Sequence, residues 1–146
     1  MSKAAWNFVC ILAAIVMAGI ALVSAYMGGC PTMVELANGN SAPMRCFWTF
    51  TADTYVAVGG IAIALVAMTC REKTGRRAMA IAYIVAAIVA ACLPMWFAVG
   101  LCASPEMHCH TTATIVWVLC GLAAVVGIVQ IAKADPSEAA KPKRTM

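Results

Sequence analysis

The chain has 146 residues, 64% of them hydrophobic and only 11% charged, with a mean hydropathy of +0.90 and a formal net charge of +4. A water-soluble domain carries about 25% charged residues to wet its surface, so this composition excludes one and makes lipid the solvent for most of the chain. The basic excess does not require a nucleic acid, because its placement between apolar runs accounts for it.

At about 20 residues per crossing, the length fits one domain of four spans. The expected fold is an all-α, four-helix transmembrane bundle made of two tandem helical hairpins. A transmembrane barrel needs alternating polarity over about ten residues, and no segment alternates in that way. The first span is expected at 5–27, a run without charge. Lys3, this run and Val23-Ser24-Ala25 also fit a secretory signal, and Met27-Gly28-Gly29-Cys30 fits a lipid-processing site at Cys30. The length of the run, and its counterpart in the second half of the chain, favour a retained span.

An outer loop follows from Gly28 to Asp53, then a second span at 54–70. That span is the shortest, and it rests on Asp53 lying at the membrane interface, where Asp53 or Thr51 would cap the helix. A basic connection carries Arg71, Lys73, Arg76 and Arg77. The third span is expected at 78–101, with a kink at Pro94 near its outer end. Small residues at Ala86, Ala87, Ala90 and Ala91, and at Gly59 and Gly60 on the second span, allow close helix approach. A second outer loop, Cys102 to Thr111, leads to the fourth span at 112–132, and residues 133–146 form a polar, Pro-interrupted, disordered tail. Tyr26, Trp48, Phe50, Tyr55, Trp96 and Phe97 fall near outer span ends, as an interfacial aromatic belt would.

Lys3, the basic connection, and Lys133, Lys141, Lys143 and Arg144 all lie on one side, which leaves only Arg45 on the other. The positive-inside rule then puts both termini in the cytoplasm of a multi-pass protein of the inner (plasma) membrane. It puts both outer loops in an oxidising compartment.

These loops share a short pattern. Met44-Arg45-Cys46-Phe47 and Met107-His108-Cys109-His110 are 63 positions apart, each opens a span, and Thr49 aligns with Thr112. Each loop also carries an earlier cysteine, Cys30 or Cys102, and a proline just before its Met. Both hairpins run in the same sense, so the repeat is parallel, about an axis along the membrane normal.

The candidate chemistry sits in these loops. Of the eight cysteines, Cys10, Cys70, Cys92 and Cys120 fall in or beside spans and suit inert packing. Cys30, Cys46, Cys102 and Cys109 face outward, where disulfides are permitted. Cys30–Cys46 and Cys102–Cys109 are the simplest pairs, although four cysteines allow three connectivities. The same residues also suit a soft metal. Met44, Cys46, Met107, His108, Cys109 and His110, with Met33, supply thioether, thiolate and imidazole donors that fit copper, while zinc or a haem on His110 ranks lower. Asp53, at the outer end of the second span, is an ionisable group that would face the bundle interior. Glu35 and Glu106 have the solvated positions of ordinary loop acids. No nucleotide-binding loop, Ser/His/Asp set or paired intramembrane carboxylate is present, so hydrolysis and primary pumping are unsupported.

The placement of four outer cysteines over four spans is similar to that of the membrane quinone-linked disulfide-generating enzymes. Those enzymes carry a Cys-x-x-Cys pair, which this chain lacks. Met44, Cys46, Phe47 and Trp48, with Met107, Cys109 and His110, more closely resemble an uncharacterised family of small four-helix membrane proteins of bacteria and archaea, catalogued as a domain of unknown function. Its doubled Met-x-Cys-His (or aromatic) motif opens the second and fourth spans, and Phe47 departs where His is common. This resemblance covers about residues 5–132. It implies a membrane protein of unknown activity, with an ABC-type permease as one partner class. The function expected is a non-enzymatic accessory protein or subunit with a disulfide-stapled outer cap that takes a soft metal. A thiol–disulfide oxidoreductase is the alternative.

Overall fold

The computed structural model describes residues 3–28, 33–35, 38–102 and 108–134. The described helices are α1 (Lys3–Met27), α2 (Arg45–Thr69), α3 (Lys73–Cys92) and α4 (His108–Ala134). Between α1 and α2 lies a two-stranded ribbon, β1 (Met33–Glu35) and β2 (Ser41–Pro43). All four helices are long and apolar enough to cross a membrane, with 20 to 27 residues each. At 1.5 Å per residue they reach roughly 30–40 Å, enough for the hydrocarbon core. They close into a ring in which α1 and α3 each pack against both α2 and α4.

Small side chains fill the middle of this bundle. Ala57, Ala64, Ala87, Ala90, Ala113 and Ala123 are all buried, while Ile15, Leu22, Ile81, Val118 and Ile128 are exposed on the outside. Lipid tails are as apolar as leucine, so burying a large side chain gains little; close backbone approach and dispersion hold the helices together instead. At Gly60 a Cβ would meet the Met17 side chain 2.9 Å away, and at Gly127 it would run into Ile84 of α3. A Cβ at Gly59 would meet nothing within 4 Å, so of the two adjacent glycines only Gly60 serves close packing.

Several boundaries differ from the hydropathy pattern. Helix α2 starts at Arg45, nine residues ahead of the expected second span. Its first turns contain Thr, Trp, Arg and Asp, which lower the hydropathy while leaving an inward face of Cys46, Thr49, Phe50 and Asp53. Asp53 is therefore not an interfacial cap: it is fully buried more than two turns inside the helix. The N-cap position belongs to Met44, with no side-chain cap bond, and Thr51 Oγ1 donates to the Phe47 carbonyl at 2.7 Å. Pro94 ends α3 rather than kinking it. The helix stops at Cys92, and successive turns (Met95 N–H to Cys92 O, Ala98 N–H to Met95 O) lead to Gly100. Phe50 leaves the expected aromatic belt for the core, whereas Tyr26, Trp48, Tyr55, Trp96 and Phe97 are exposed. Helix α4 continues to Ala134, and the rest of the expected tail, 135–146, lies outside the described residues.

The ribbon was not expected from the sequence. Met33 pairs with Pro43, Val34 with Ala42 and Glu35 with Ser41, in antiparallel register. Asn38-Gly39-Asn40 turns the chain: Gly39 takes φ +77°, and the Asn40 N–H bonds the Asn38 side-chain oxygen at 3.2 Å. An Asn-Gly step is the usual sequence sign of such a hairpin.

The repeat extends far beyond its motif. Helix α2 buries Cys46, Thr49, Phe50, Asp53, Ala57, Gly60, Ala64 and Ala67. Exactly matched at 63 positions later, α4 buries Cys109, Thr112, Ala113, Val116, Cys120, Ala123, Gly127 and Gln130. On α1 and α3, Cys10, Ala13, Met17 and Ile20 correspond to Ala80, Tyr83, Ala87 and Ala90, 70 positions later. The difference of seven between the two offsets is the extra length of the connection between α1 and α2, which carries the ribbon.

Candidate functional site

The segment after α3 and the starts of α2 and α4 meet at one end of the bundle, where three described cysteines gather. Met44 immediately precedes α2, Cys46 is its second residue, and Cys109 is the second residue of α4. Cys46 and Cys109 are buried. Cys102 comes from the connection after α3, and its Sγ lies 3.3 Å from Cys46 Sγ and 3.9 Å from Met44 Sδ. The Cys109 thiol is a further neighbour of Cys102, close enough to interact with it. Sulfurs from both hairpins thus converge.

Two threonines at equivalent places hold this cap in position. Thr49 Oγ1 of α2 donates to the Gly100 carbonyl at 2.7 Å and bridges to Arg45 O in its own helix at 3.3 Å. Thr112 Oγ1 of α4 donates to the Met27 carbonyl at 2.9 Å and bridges to His108 O at 3.1 Å. Each hairpin's second helix therefore grips the point where the other hairpin's first helix has ended. Gly100 takes φ +80°, a conformation open to glycine at little cost, and this turn delivers Cys102 two residues later. From α4, His110 Nε2 donates to the Cys102 carbonyl at 3.0 Å, a second tie on the Gly100–Cys102 segment.

The sequence-predicted residues divide accordingly. Met44, Cys46, Cys102 and Cys109 come together, and His110 supports them through the Cys102 backbone. His108 is exposed at the start of α4. Cys30 and Met107 lie outside the described residues. Cys102 and Cys109 are free thiols, and the contact between Cys46 and Cys102 runs between the two hairpins. Burial, then the neighbouring Cys46 and Cys109 sulfurs, push the Cys102 thiol up from the ordinary 9.0 to about 11. Such a thiol is mostly protonated at neutral pH and a poor nucleophile. Among the described residues, no three His, Cys, Asp or Glu side chains form a metal-ligand group. The set reaches three donors only when the Met44 thioether is counted, and that mixture of thiol and thioether is the donor type preferred by Cu(I).

Beneath the cap lies Asp53, on the same face of α2 and about 10 Å further along the helix from Cys46. Neither carboxyl oxygen has a hydrogen-bond partner among the described residues. On α4 the equivalent place is Val116, and the Cys120 thiol one turn deeper is within electrostatic range of Asp53. Sequence position alone put this residue at the interface, because the helical start at Arg45 is hidden by the polar first turns.

No curated protein and no solved structure matches the chain. Residues 9–133 match the model of the family described as a domain of unknown function, DUF4418. With most of its length inside that match, the chain belongs to this uncharacterised family of proteins.

Proposed function

We propose that this protein is a non-enzymatic membrane subunit whose outer end holds a soft, sulfur-preferring cation, with Cu(I) as the best fit. The observation that carries this is the convergence of Cys102 Sγ with Cys46 Sγ at 3.3 Å and Met44 Sδ at 3.9 Å. A metal–sulfur bond of about 2.3 Å to each of two sulfurs requires those sulfurs to stand less than about 4.6 Å apart, and this pair meets that limit. Cys46, Cys102 and Met44 would be the ligands, with Cys109 beside them. Displacement of thiol protons by the cation would make uptake favour higher pH. Orientation follows from the basic residues: the sulfur end lies outside, and both termini lie in the cytoplasm.

The test is anaerobic titration of the reduced, full-length protein with Cu(I) against a competing chelator. One ion per chain is expected, lost in both Cys46→Ala and Cys102→Ala and weakened in Met44→Leu. Copper uptake that is unchanged by removing either cysteine overturns the assignment. A cytoplasm-only reporter active after residue 74 but silent after residue 40 tests the orientation, and activity at residue 40 would reverse it.

A second reading rests on the same 3.3 Å contact. Closing Cys46 and Cys102 to a disulfide needs an approach of about 1.3 Å, to the 2.05 Å of the bond. The two thiols would lose two protons and two electrons to a small-molecule or protein disulfide, which is reduced to two thiols. The product is a staple across the two hairpins. Thiol counting on denatured, unreduced protein separates the readings: a bridge between Cys46 and Cys102 on peptide mapping supports the staple, and free thiols at both support the metal site. A catalytic exchange role is disfavoured by the raised Cys102 thiol, because exchange enzymes use lowered ones.

A further inference from the structure

The opposite end of the bundle carries a second site, unrelated to the sulfur cap. An open cleft of about 640 Å³ is lined by Lys3 and Asn7 of α1, Met68 and Thr69 of α2, and Cys70, Arg71 and Arg76 around the turn into α3. Three of these seven residues are cationic and none is acidic. The acid nearest in sequence, Glu72, precedes α3, where its carbonyl accepts the Arg76 N–H at 3.1 Å. Helices α1 and α3 both begin at this end, at Lys3 and Lys73, so two helix N-termini add their partial positive charge.

Arg76 is fixed in place from two sides. Its guanidinium carbon lies 4.9 Å from the centroid of the Trp6 ring, and its Nε donates to the Cys70 carbonyl at 3.0 Å. Trp6 is itself fully buried, and its Nε1 donates to the Ala67 carbonyl at 2.9 Å. Side-chain entropy that a free arginine would lose on binding is thus already spent. In the same wall, Asn7 Oδ1 is a buried acceptor with no donor among the described residues.

We propose that this cleft binds the phosphate of an acidic phospholipid headgroup, such as that of phosphatidylglycerol. The chemistry recognised is the phosphate, for which Lys3, Arg71 and Arg76 supply the positive charge. Lipid is the source because the cleft opens where span-length helices end, at headgroup level, with the apolar Met68 in its wall. Basic residues at such a surface each contribute about fivefold in affinity for anionic lipid, and the contribution weakens as salt screens it.

The test uses the full chain in neutral detergent, with phosphatidylglycerol or phosphatidylcholine added in mixed micelles. Retained lipid is counted by native mass spectrometry, and thermal unfolding is followed in parallel. Phosphatidylglycerol should be retained and should stabilise the protein at low salt, while phosphatidylcholine should do neither. Lys3→Gln with Arg71→Gln, both at exposed positions, should weaken retention by about twentyfold or more while the helix content stays unchanged. Inorganic phosphate that competes with the lipid supports the phosphate site. Inorganic phosphate that stabilises fully while phosphatidylglycerol adds nothing overturns the lipid as its source. Equal retention of the two lipids, or no effect of the double substitution, overturns the proposal.

Discussion

Replacing Thr49 with valine tests whether one hydroxyl positions the sulfur cap. Valine keeps the volume and branching of threonine at a fully buried position, and the two have similar helix propensities, so packing and local helix stability should hardly change. What is lost is the 2.7 Å bond to the Gly100 carbonyl, together with the weaker bond to Arg45 O. Gly100 is buried, so its carbonyl is left without that donor, and an orphaned buried acceptor costs about 1–3 kcal/mol. If the loss loosens only the segment from Gly100 to Cys102, the docked loop is depopulated by about 5–150-fold relative to the wild type. Thr49→Ser retains the hydroxyl and forfeits one methyl, about 0.8 kcal/mol of burial, so it should keep the loop docked. Two measurements follow these outcomes: thermal unfolding in detergent, and the rate at which a mild oxidant cross-links Cys46 to Cys102 in the reduced protein. Valine should lower both and serine should preserve the cross-linking rate. Wild-type cross-linking and unfolding in Thr49→Val would refute the idea that this bond holds Cys102 against Cys46.

The remaining predictions concern packing, support and titration. Gly127→Ala drives a Cβ into Ile84 and within 3.3 Å of Tyr83, so overpacking of about 1–3 kcal/mol should outweigh or cancel the helix-propensity gain of about 1 kcal/mol. At Gly121 the new Cβ meets nothing within 4 Å, and Gly121→Ala should stabilise by about 0.5–1 kcal/mol; unfolding of the pair in parallel checks the contrast. His110→Ala removes the 3.0 Å bond to the Cys102 carbonyl and should weaken Cu(I) binding by about 10–100-fold without abolishing it, measured by chelator competition. In the reduced, metal-free protein, alkylation of Cys102 should keep accelerating about tenfold per pH unit up to about pH 11, whereas an unshifted thiol levels off near pH 9. The stability sign follows: because the folded-state value is raised, this thiol's contribution is complete below pH 9 and disappears as pH climbs to about 11.

The bundle was legible because membrane solvent writes its demand in blunt terms: four long apolar runs, with basic residues collected on one side. The outer ends were less so. Residues 45–53 looked like loop because hydropathy averages over both faces of a helix, and here the inward face itself is polar at Thr49 and Asp53. Pro94 was recognised as a disturbance, but whether a proline kinks or ends a helix depends on whether the chain beyond it has packing to return to. Past Cys92 the backbone finds turn bonds instead. The contact between sulfurs of the two halves was also out of reach: Cys46 meets Cys102 where Thr49 holds the Gly100 carbonyl, a tie across 51 positions that no local spacing reveals.

The repeat also indicates where function departs from architecture. If the two halves were only a scaffold, their matched buried positions would carry matched chemistry, as Cys46 and Cys109 or Thr49 and Thr112 do. Those matched pairs lie at the end where the sulfurs gather and build the cap. Deeper down, the equivalences break: Phe50 corresponds to Ala113, a large–small exchange between apolar residues, but Asp53 for Val116 and Ala57 for Cys120 exchange chemistry, not size alone. A bundle that needed only packing would gain from valine at both places, since a buried carboxyl with no hydrogen-bond partner among the described residues is costly. Its presence on one half alone sets the halves apart, on the same buried face of α2 that carries Cys46. Asp53→Val, which copies the other half, therefore separates the two roles: it should keep or raise thermal stability and leave Cu(I) uptake at the cap intact. Loss of copper binding in that variant would show instead that the carboxyl and the sulfurs form one site.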